Sequence, residues 1–357
     1  MQFGYFSLVQ KRNPEVSSAE VFQNLLMEVK LAEDVGMDLA LFAEHHFSNY
    51  GLSVSPLLTA GWIAAQTRHI RLAPGVLVLP LYNPLRLIQE FEMLNLMTGN
   101  RIEFGFGTGY QKYEFERYGV ELSEGGDRTV EVLDMYHQAV DRGRIEYRGK
   151  YYNVPDTAIA VRAHAQPPTI FAAAALSHPL IPRLVVRRGY VPLVQAGWKP
   201  FEQVMNHRSF YDEIAAQEHV RPESIAFGVM RFVHVSDSRS DWLAAAEAYR
   251  YSTRVATSTR FNYAVFDNNT GRDIPAKDEP SLEEIIENCV IGTADACIEK
   301  VAREIRACRA SHYVCMMNCG GLDPAKVKKS LELMGREVIP EVKRRLSRKT
   351  VRVSPAA

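Results

Sequence analysis

Apolar and polar positions along the chain alternate in blocks that predict helices and strands in turn. The segment 17–36 repeats apolar residues at helical spacing, at Val21, Leu25 and Val29, which predicts a helix with one buried face. The segment 37–43 (MDLALFA) is then apolar nearly throughout. This is the pattern of a parallel strand that is covered on both faces.

The same alternation continues to the end of the chain and gives eight strand–helix units. Strands are predicted at 3–9, 37–43, 70–79, 101–106, 168–173, 189–195, 225–235 and 311–318. Helices are predicted at 17–36, 57–67, 84–98, 127–141, 179–187, 200–216, 240–256, 294–309 and 323–346. Eight such units favour an α/β fold of the closed eight-fold β/α (TIM) barrel type over an open doubly wound sheet.

Two segments interrupt this order within a single barrel domain that we expect to span residues 1–346. Residues 144–166 have the pattern of an inserted hairpin. Residues 257–292 are too polar, and too rich in Asn, Gly and Pro, for a barrel helix, so they predict a lid-like insertion. The tail 347–357 is expected to be loose.

Composition excludes several classes of protein. The 357 residues include 42 Lys and Arg against 42 Asp and Glu, so no charge excess points to nucleic acid or to an anionic membrane. No apolar run approaches the roughly 20 residues of a membrane span. The first residues predict a strand and not a signal peptide. The five cysteines lie late in the chain without a redox or zinc spacing, which favours reduced thiols in a cytoplasmic protein.

Candidate chemistry lies where predicted strands end. In β/α barrels the active site forms at the carboxyl ends of the strands. Four polar or glycine-rich stretches follow predicted strands there: 44–47 (EHHF), 80–84, 105–111 and 174–178. We therefore expect them to meet at one mouth of the barrel.

The residue types in these stretches narrow the chemistry. Adjacent histidines on an extended chain point to opposite sides, and no His-x-His pair is present, so the pattern argues against a metal site. Gly105, Gly107 and Gly109 do not match the dinucleotide fingerprint. They suit either a tight barrel turn or a close backbone approach to a flat ligand beside Tyr110, and the sequence leaves both interpretations open.

The ordered set of motifs resembles a known family. The chain carries EHHF, GVLVLPLYNPLR and RIEFGFGTGYQKYEFERYG, followed by Arg128, in the order and spacing of the flavin-dependent bacterial luciferase-like monooxygenases, particularly the luciferase α-subunit. The likeness runs from the start to about residue 130, continues more faintly to about 195 and fades at 200–290.

The resemblance implies a function and a set of site residues. It implies that reduced FMN binds at the barrel mouth and reacts with O₂ to a peroxyflavin, which oxygenates a small organic substrate. His45 matches the catalytic histidine, and Gly75–Val76 match a non-proline cis peptide against the flavin ring. Thr108 replaces a phosphate-binding arginine, which leaves Arg128 and Ser177 for the phosphate. The expected cofactor contacts are Phe6, Glu44, Gly75, Val76, Thr108, Tyr110, Gln111, Arg128 and Ser177.

Partners and alternatives follow from the same comparison. No NAD(P)H fingerprint is present, so we expect a separate reductase to supply the reduced flavin, and the family implies a homodimer. Because the Gly-x-Gly-Thr-Gly variant also occurs in deazaflavin-using relatives, a deazaflavin-dependent oxidoreductase is one alternative. A non-catalytic flavin-binding protein is another, although such a protein has no need for a base like His45.

Overall fold

A ring of short parallel strands forms the centre of the computed structural model, which describes residues 1–162, 167–173 and 178–347. The strands are β1 Gln2–Ser7, β2 Leu39–Phe42, β3 Arg71–Pro74, β4 Leu77–Val78, β5 Phe104–Gly107, β6 Arg144–Arg148, β7 Asn153–Ala158, β8 Ile170–Ala173, β9 Val191–Gln195, β10 Gly228–Val235, β11 Phe266–Asp267, β12 Thr270–Gly271, β13 Val290–Gly292 and β14 His312–Asn318. The ring runs β3-β2-β1-β14-β10-β9-β8-β5-β4, and β13 pairs with β10 outside it.

Helices surround this ring. They are α1 Ser18–Asp34, α2 Pro56–Ala64, α3 Pro84–Met97, α4 Lys112–Tyr118, α5 Gly125–Arg142, α6 Ile181–Arg188, α7 Glu202–Gln217, α8 Arg239–Arg260, α9 Leu282–Asn288, α10 Ala294–Cys308, α11 Pro324–Leu333 and α12 Ile339–Ser347, with a π-helical turn Met334–Val338 between the last two. Side-chain caps begin two of these helices, because Ser17 accepts a hydrogen bond from the amide of Glu20, and Thr293 from that of Ala296.

The eight-fold β/α barrel prediction is confirmed. Strands β3 and β4 are two halves of the predicted strand 70–79, separated by a cis peptide bond between Gly75 and Val76. The first half pairs with β2 and bridges from Leu72 to Ile102, while the second half pairs with β5. The ring therefore closes across this divided strand.

The inserted segments contain regular structure. Strands β6 and β7 pair as an antiparallel hairpin inside 144–166, of which 163–166 lie outside the described residues. The segment 257–292 begins inside α8 and ends in α9 and β13, both of which pack on the barrel: Ile285 is fully buried and β13 pairs in parallel with β10. Residues 261–281 connect the end of α8 to the start of α9, and we name them the lid segment.

All five cysteines are buried and unpaired. Among the described residues, no helix is both long and apolar enough to cross a membrane.

Candidate active site

A cavity of about 1180 Å³ opens at the carboxyl ends of the barrel strands. Eight of the predicted catalytic and cofactor-binding residues line it, and they come from four different strand ends. They are Phe6, Glu44, His45, Gly75, Val76, Thr108, Tyr110 and Gln111. The convergence of strand ends expected from the barrel rule therefore brings these positions together.

Close packing explains the three glycines in and just after β5, and for Gly105 and Gly107 the neighbour is the divided strand. A Cβ on Gly105 would lie 1.9 Å from the carbonyl oxygen of Pro74, and one on Gly107 would lie 2.7 Å from a methyl group of Val76. Gly109 has φ +75°, and a Cβ there would meet the ring of Phe115 at 2.3 Å. A turn with positive φ is present only at Gly109, while close strand packing accounts for Gly105 and Gly107; Gly107 and Gly109 also line the cavity.

His45 is held in one orientation by a buried carboxylate. Its Nδ1 lies 3.0 Å from Oε1 of Glu114, and the same oxygen accepts the backbone N–H of His46 at 2.9 Å. A carboxylate only accepts, so Nδ1 carries the hydrogen and Nε2 is the ring atom left for chemistry. The ring also packs on Tyr50, with 4.3 Å between the ring centroids.

His46 belongs to a second network, behind the cavity wall. Its Nε2 lies 3.0 Å from Oε1 of Glu44, and its Nδ1 accepts from the hydroxyl of Tyr118 at 3.0 Å. The other oxygen of Glu44 accepts from the amide of Val78 at 3.1 Å and from the hydroxyl of Tyr82 at 2.7 Å. Burial, together with the charge of Glu44, raises the pKa of Tyr82 well above its usual value, so Tyr82 stays a donor.

The loop after β2 has the shape that this arrangement needs. Phe47 has φ 60°, which turns the chain immediately after the two histidines. Gly51 packs where a Cβ would lie 2.9 Å from the carbonyl oxygen of Leu8 and 3.0 Å from Cβ of His45. The loop can therefore fold back tightly against β1 and support the imidazole.

Gln111 is a polar side chain without a partner in the cavity lining. It is 2% exposed, and neither atom of its amide has a hydrogen-bond partner among the described residues. A buried amide is normally hydrogen-bonded, so this unpaired one is a candidate contact for a ligand.

Of the two predicted phosphate ligands, only Arg128 lies among the described residues, and it is not in the cavity lining. Arg128 donates from Nε to Glu124 at 2.9 Å, and its guanidinium lies 4.4 Å from the ring centre of Tyr151. It sits in the first turn of α5, where Gly125 packs so closely on the carbonyl of Thr108 that a Cβ would come within 2.6 Å. Ser177 lies outside the described residues, so both phosphate assignments stay predictions.

Several lining residues were missed by sequence reasoning. Glu114 lies in the motif that carried the resemblance, but nothing in its local pattern distinguishes it from Glu116. Gln195, Trp198, Lys199 and Arg260 also line the cavity. The stretch 195–199 follows β9, so the strand-end rule could have found it.

The lid segment is attached beside the mouth by specific contacts. Asn49, 2% exposed, accepts from the amide of Gly271 at 2.9 Å and donates to the hydroxyl of Tyr251 at 3.1 Å. Arg254 donates to Asp273 at 3.0 Å and to Glu279 at 2.7 Å. Phe261, Tyr263 and residues 276–278 line the cavity, so the segment forms part of its wall.

Comparison with known proteins decides the family. A family model described as luciferase-like monooxygenase matches residues 1–311. The chain belongs to the luciferase-like monooxygenase family. Membership makes it an enzyme of the flavin-dependent monooxygenase type. Among the described residues, no group of three or more His, Cys, Asp or Glu is arranged to hold a metal ion.

Relatives within and around this family cover nearly the whole chain. The oxygenase component of the flavin-dependent trigonelline monooxygenase of Acinetobacter baylyi is 26% identical over 95% of both chains. The oxygenating constituent of 3,6-diketocamphane monooxygenase from Pseudomonas putida, solved with FMN, has a TM-score of 0.76 at 21% identity and covers 96% of this chain and 98% of its own. An F420-dependent secondary alcohol dehydrogenase has a TM-score of 0.71 at 17% identity, covering 96% and 98%.

Proposed function

We propose that this luciferase-like protein is the oxygenase component of a two-component monooxygenase, which receives reduced FMN from a separate reductase and uses O₂ to oxygenate a small organic substrate. The size of the cavity around His45 carries the proposal. At about 1180 Å³ it exceeds the roughly 300–1,000 Å³ of a typical site for one small molecule. It therefore has room for a cofactor and a substrate together.

The residues at the cavity surface fit a flavin. Gly75, Val76 and Gly107 offer backbone with little side chain, which suits a flat ring system, and Phe6 adds an apolar surface. The unpaired amide of Gln111 can both donate and accept, as the polar edge of a flavin requires. When bound, the reduced flavin supplies the electrons that activate O₂.

His45 is the residue of this chain that holds or moves a proton. Its Nδ1–H is committed to Glu114, and no described residue hydrogen-bonds its Nε2. A positioned imidazole of this kind contributes general acid–base catalysis when its free nitrogen comes within hydrogen-bond reach of the reacting group. Glu114 acts through His45 and is a positioning residue.

A separate reductase is part of the proposal for two reasons. The chain has no NAD(P)H fingerprint of its own, and the trigonelline monooxygenase relative is itself named an oxygenase component. We propose that FMN is reduced elsewhere and reaches this protein by diffusion or direct transfer.

Stopped-flow mixing tests the cofactor and the reaction together. The ligand-free protein is loaded anaerobically with reduced FMN, or with reduced deazaflavin F420, and then mixed with O₂. We expect reduced FMN to bind, and a transient absorbance change to separate its loss from the appearance of oxidised FMN. Binding of F420 alone, without reaction with O₂, would favour the deazaflavin oxidoreductase. Tight FMN binding without any transient would favour a flavin-binding protein.

Product formation is then tested with a reductase, NADPH and ¹⁸O₂. An alkanal, a cyclic ketone and trigonelline represent substrate classes named for family members and structural neighbours. We expect one ¹⁸O atom in the product and an absolute requirement for FMN. Unlabelled product would contradict the proposal.

We also propose a homodimer. Six large apolar side chains are exposed on or just before α1, α2 and α3, and they are Met27, Val54, Leu58, Met93, Leu96 and Met97. Exposed apolar side chains that group together mark an interaction site, and we propose that these six form the dimer interface. Light scattering should give twice the chain mass, and Leu58→Glu together with Met97→Glu should give a monomer. An unchanged mass in that variant would exclude this surface as the interface.

A cytoplasmic location completes the proposal. Reducing compartments keep thiols free, and all five cysteines are unpaired and buried. Burial raises the pKa of Cys297 to about 12, so this thiol stays protonated and unreactive.

A further inference from the structure

The free charges on the cavity wall are mostly positive. Lys199, Arg260 and Lys277 line the cavity, and among the described residues none of the three forms an ion pair with a carboxylate. Asp278 lies in the same part of the lining and offsets one of these charges. The excess of cationic groups therefore favours an anionic ligand.

The two remaining acids of the lining do not neutralise these cations. Glu44 is bonded to His46 and Tyr82, and Glu114 is bonded to His45. Both carboxylates are more than nine-tenths buried. Their oxygens are occupied by these donors, so neither carboxylate pairs with Lys199, Arg260 or Lys277.

Arg260 has a defined position relative to His45. It is the last residue of α8, and its guanidinium lies 5.8 Å from the ring centre of Tyr110. The same tyrosine ring meets the imidazole of His45 edge-on, with 6.0 Å between the centroids. The guanidinium and the imidazole are therefore no more than about 12 Å apart.

We propose that Arg260, assisted by Lys277 and Lys199, binds the carboxylate of the substrate, so that the enzyme acts on small organic acids. A charge-assisted hydrogen bond to the guanidinium takes up about 2.8 Å, and a proton contact with His45 takes up about 3 Å. At most about 6 Å remain between them, the size of one six-membered ring or a short chain. The substrate is then a one-ring or short-chain carboxylic acid that reacts away from its carboxylate.

The proposal rests on the proposed monooxygenase function, because it assigns one end of the cavity to the substrate of that reaction. The same positive charge could instead hold the phosphate of the cofactor. Riboflavin, which lacks the phosphate, separates the two sources. Lost affinity for FMN but not for riboflavin in an Arg260 variant would identify the phosphate as the ligand.

Fluorine NMR measures the carboxylate contact without flavin and without turnover. The probes are two matched pairs, 4-fluorobenzoate with 4-fluorobenzamide and 6-fluoronicotinate with 6-fluoronicotinamide. We expect the wild-type protein to bind each acid at least ten-fold more tightly than its amide. Arg260→Gln should reduce that preference to within two-fold, and Lys277→Gln should reduce it less. Arg239→Gln, at the opposite end of the same helix and 59% exposed in its side chain, is the matched control and should keep the preference.

Three results would overturn the proposal. They are equal binding of acid and amide by the wild-type protein, an undiminished preference in both Arg260→Gln and Lys277→Gln, and a selective loss of FMN over riboflavin in Arg260→Gln. Melting curves of each variant show that it is folded, which is expected because Arg260 is exposed. Failure of the monooxygenase function shows separately, as the absence of any O₂-dependent transient with bound reduced FMN.

Discussion

The two sides of the cavity are built in different ways. On one side Glu44, His45, His46, Glu114 and Tyr118 form what we call the histidine wall, in which every one of these polar side chains has a partner and all but Tyr118 are buried. On the other side the lid segment is mostly exposed. Lys277 in its cavity-facing part, and Arg260 just before it, carry positive charges without carboxylate partners.

This difference separates positioning from recognition. A buried network fixes the imidazole because each missing partner would leave a desolvated polar group, which costs about 1–3 kcal/mol. Exposed cations on an inserted segment cost little to retain and can be exchanged without disturbing the barrel. The wall is therefore suited to the step shared by the family, and the lid segment to the choice of substrate.

Removing the imidazole should give the largest effect. His45→Ala takes away the positioned acid–base group but leaves Phe6, Gly75, Val76 and Gln111 of the proposed flavin contacts in place, so FMN should bind within a few-fold of wild type. Oxygenation should slow by about 10² or more, the usual scale for such a group. Single-turnover product formation with reduced FMN measures the oxygenation rate. A wild-type rate in the His45→Ala variant would contradict the role of His45.

His46→Ala is the matched control on the adjacent residue. It removes the partners of Glu44 and Tyr118 in the second network, so the cost should fall on stability, by about 1–3 kcal/mol. Turnover per folded molecule should stay close to wild type. A folded His46→Ala protein without turnover would show that the roles of the two histidines are reversed.

Replacing the lid segment should give the next largest effect. A short Gly-Ser linker in place of residues 262–280 leaves α8, α9 and β13 intact, so the barrel should fold and bind FMN. At a site open to water, reduced oxygen is released as hydrogen peroxide before it can be transferred to the substrate. Hydrogen peroxide per reduced FMN should therefore rise, and product yield should fall about ten-fold. We expect the lid segment to be mobile in the free protein and to close over the barrel mouth when reduced flavin binds. An unchanged yield would assign the segment to an interface.

Asn49→Ala tests the attachment of the lid segment at a single residue. It removes the contacts to Gly271 and Tyr251 but no residue of the cavity lining. Protease cleavage within 261–281 should become faster, and peroxide release should rise by less than in the linker variant. Unchanged cleavage would show that the side chain of Asn49 is not needed and that other contacts, such as the Arg254 ion pairs, hold the segment.

Arg128→Ala should have a smaller effect, restricted to the cofactor's phosphate. If Arg128 grips the phosphate, its loss should weaken FMN by about 1.5 kcal/mol, the lower end for a charged hydrogen bond, because Glu124 already pairs with the side chain. Riboflavin should bind as before. Equal losses for FMN and riboflavin would remove Arg128 from the phosphate site.

The barrel was predictable because parallel strands buried on both faces give continuous apolar runs. The end of α8 was not, because its last turns are rich in Thr and Ser. In the structure, Thr257 bonds the carbonyl of Thr253 and Thr259 bonds that of Val255, so their hydroxyls are satisfied inside the helix. The helix therefore continues to Arg260 and carries it to the cavity.

The candidate site divides in the same way. Positions next to strand ends, such as Glu44 and Thr108, could be predicted from the barrel rule. Glu114 could not, because its role depends on how α4 packs against the loop after β2. The division of strand 70–79 at Gly75 was also beyond periodicity, because both halves are equally apolar.

A buried histidine without partners should not affect activity at all, and it completes the contrast with the histidine wall. His234 in β10 is 1% exposed, and neither of its ring nitrogens is hydrogen-bonded. Burial lowers its pKa to about 4, with the charges of Lys326 and Lys329 acting in the same direction and that of Asp241 opposing them. The unfolded chain, with a histidine pKa near 6.5, therefore binds this proton more readily than the folded protein does.

The unfolding free energy should accordingly depend on this residue only in acid. The contribution of neutral His234 is fully present above about pH 6.5 and is lost as the pH falls from there toward 4, by up to about 1.4 kcal/mol per pH unit. Leucine is similar in volume to histidine and does not titrate. In His234→Leu the unfolding free energy should therefore fall less steeply with falling pH than in the wild type, by that amount, while activity at pH 7 is kept. Urea unfolding at pH 8, 6 and 5 measures the unfolding free energy of both proteins. Their difference at pH 8, where His234 is neutral in the folded and the unfolded state, is the internal control. Parallel curves for the two proteins across this range would show that His234 is protonated equally in the folded and unfolded states.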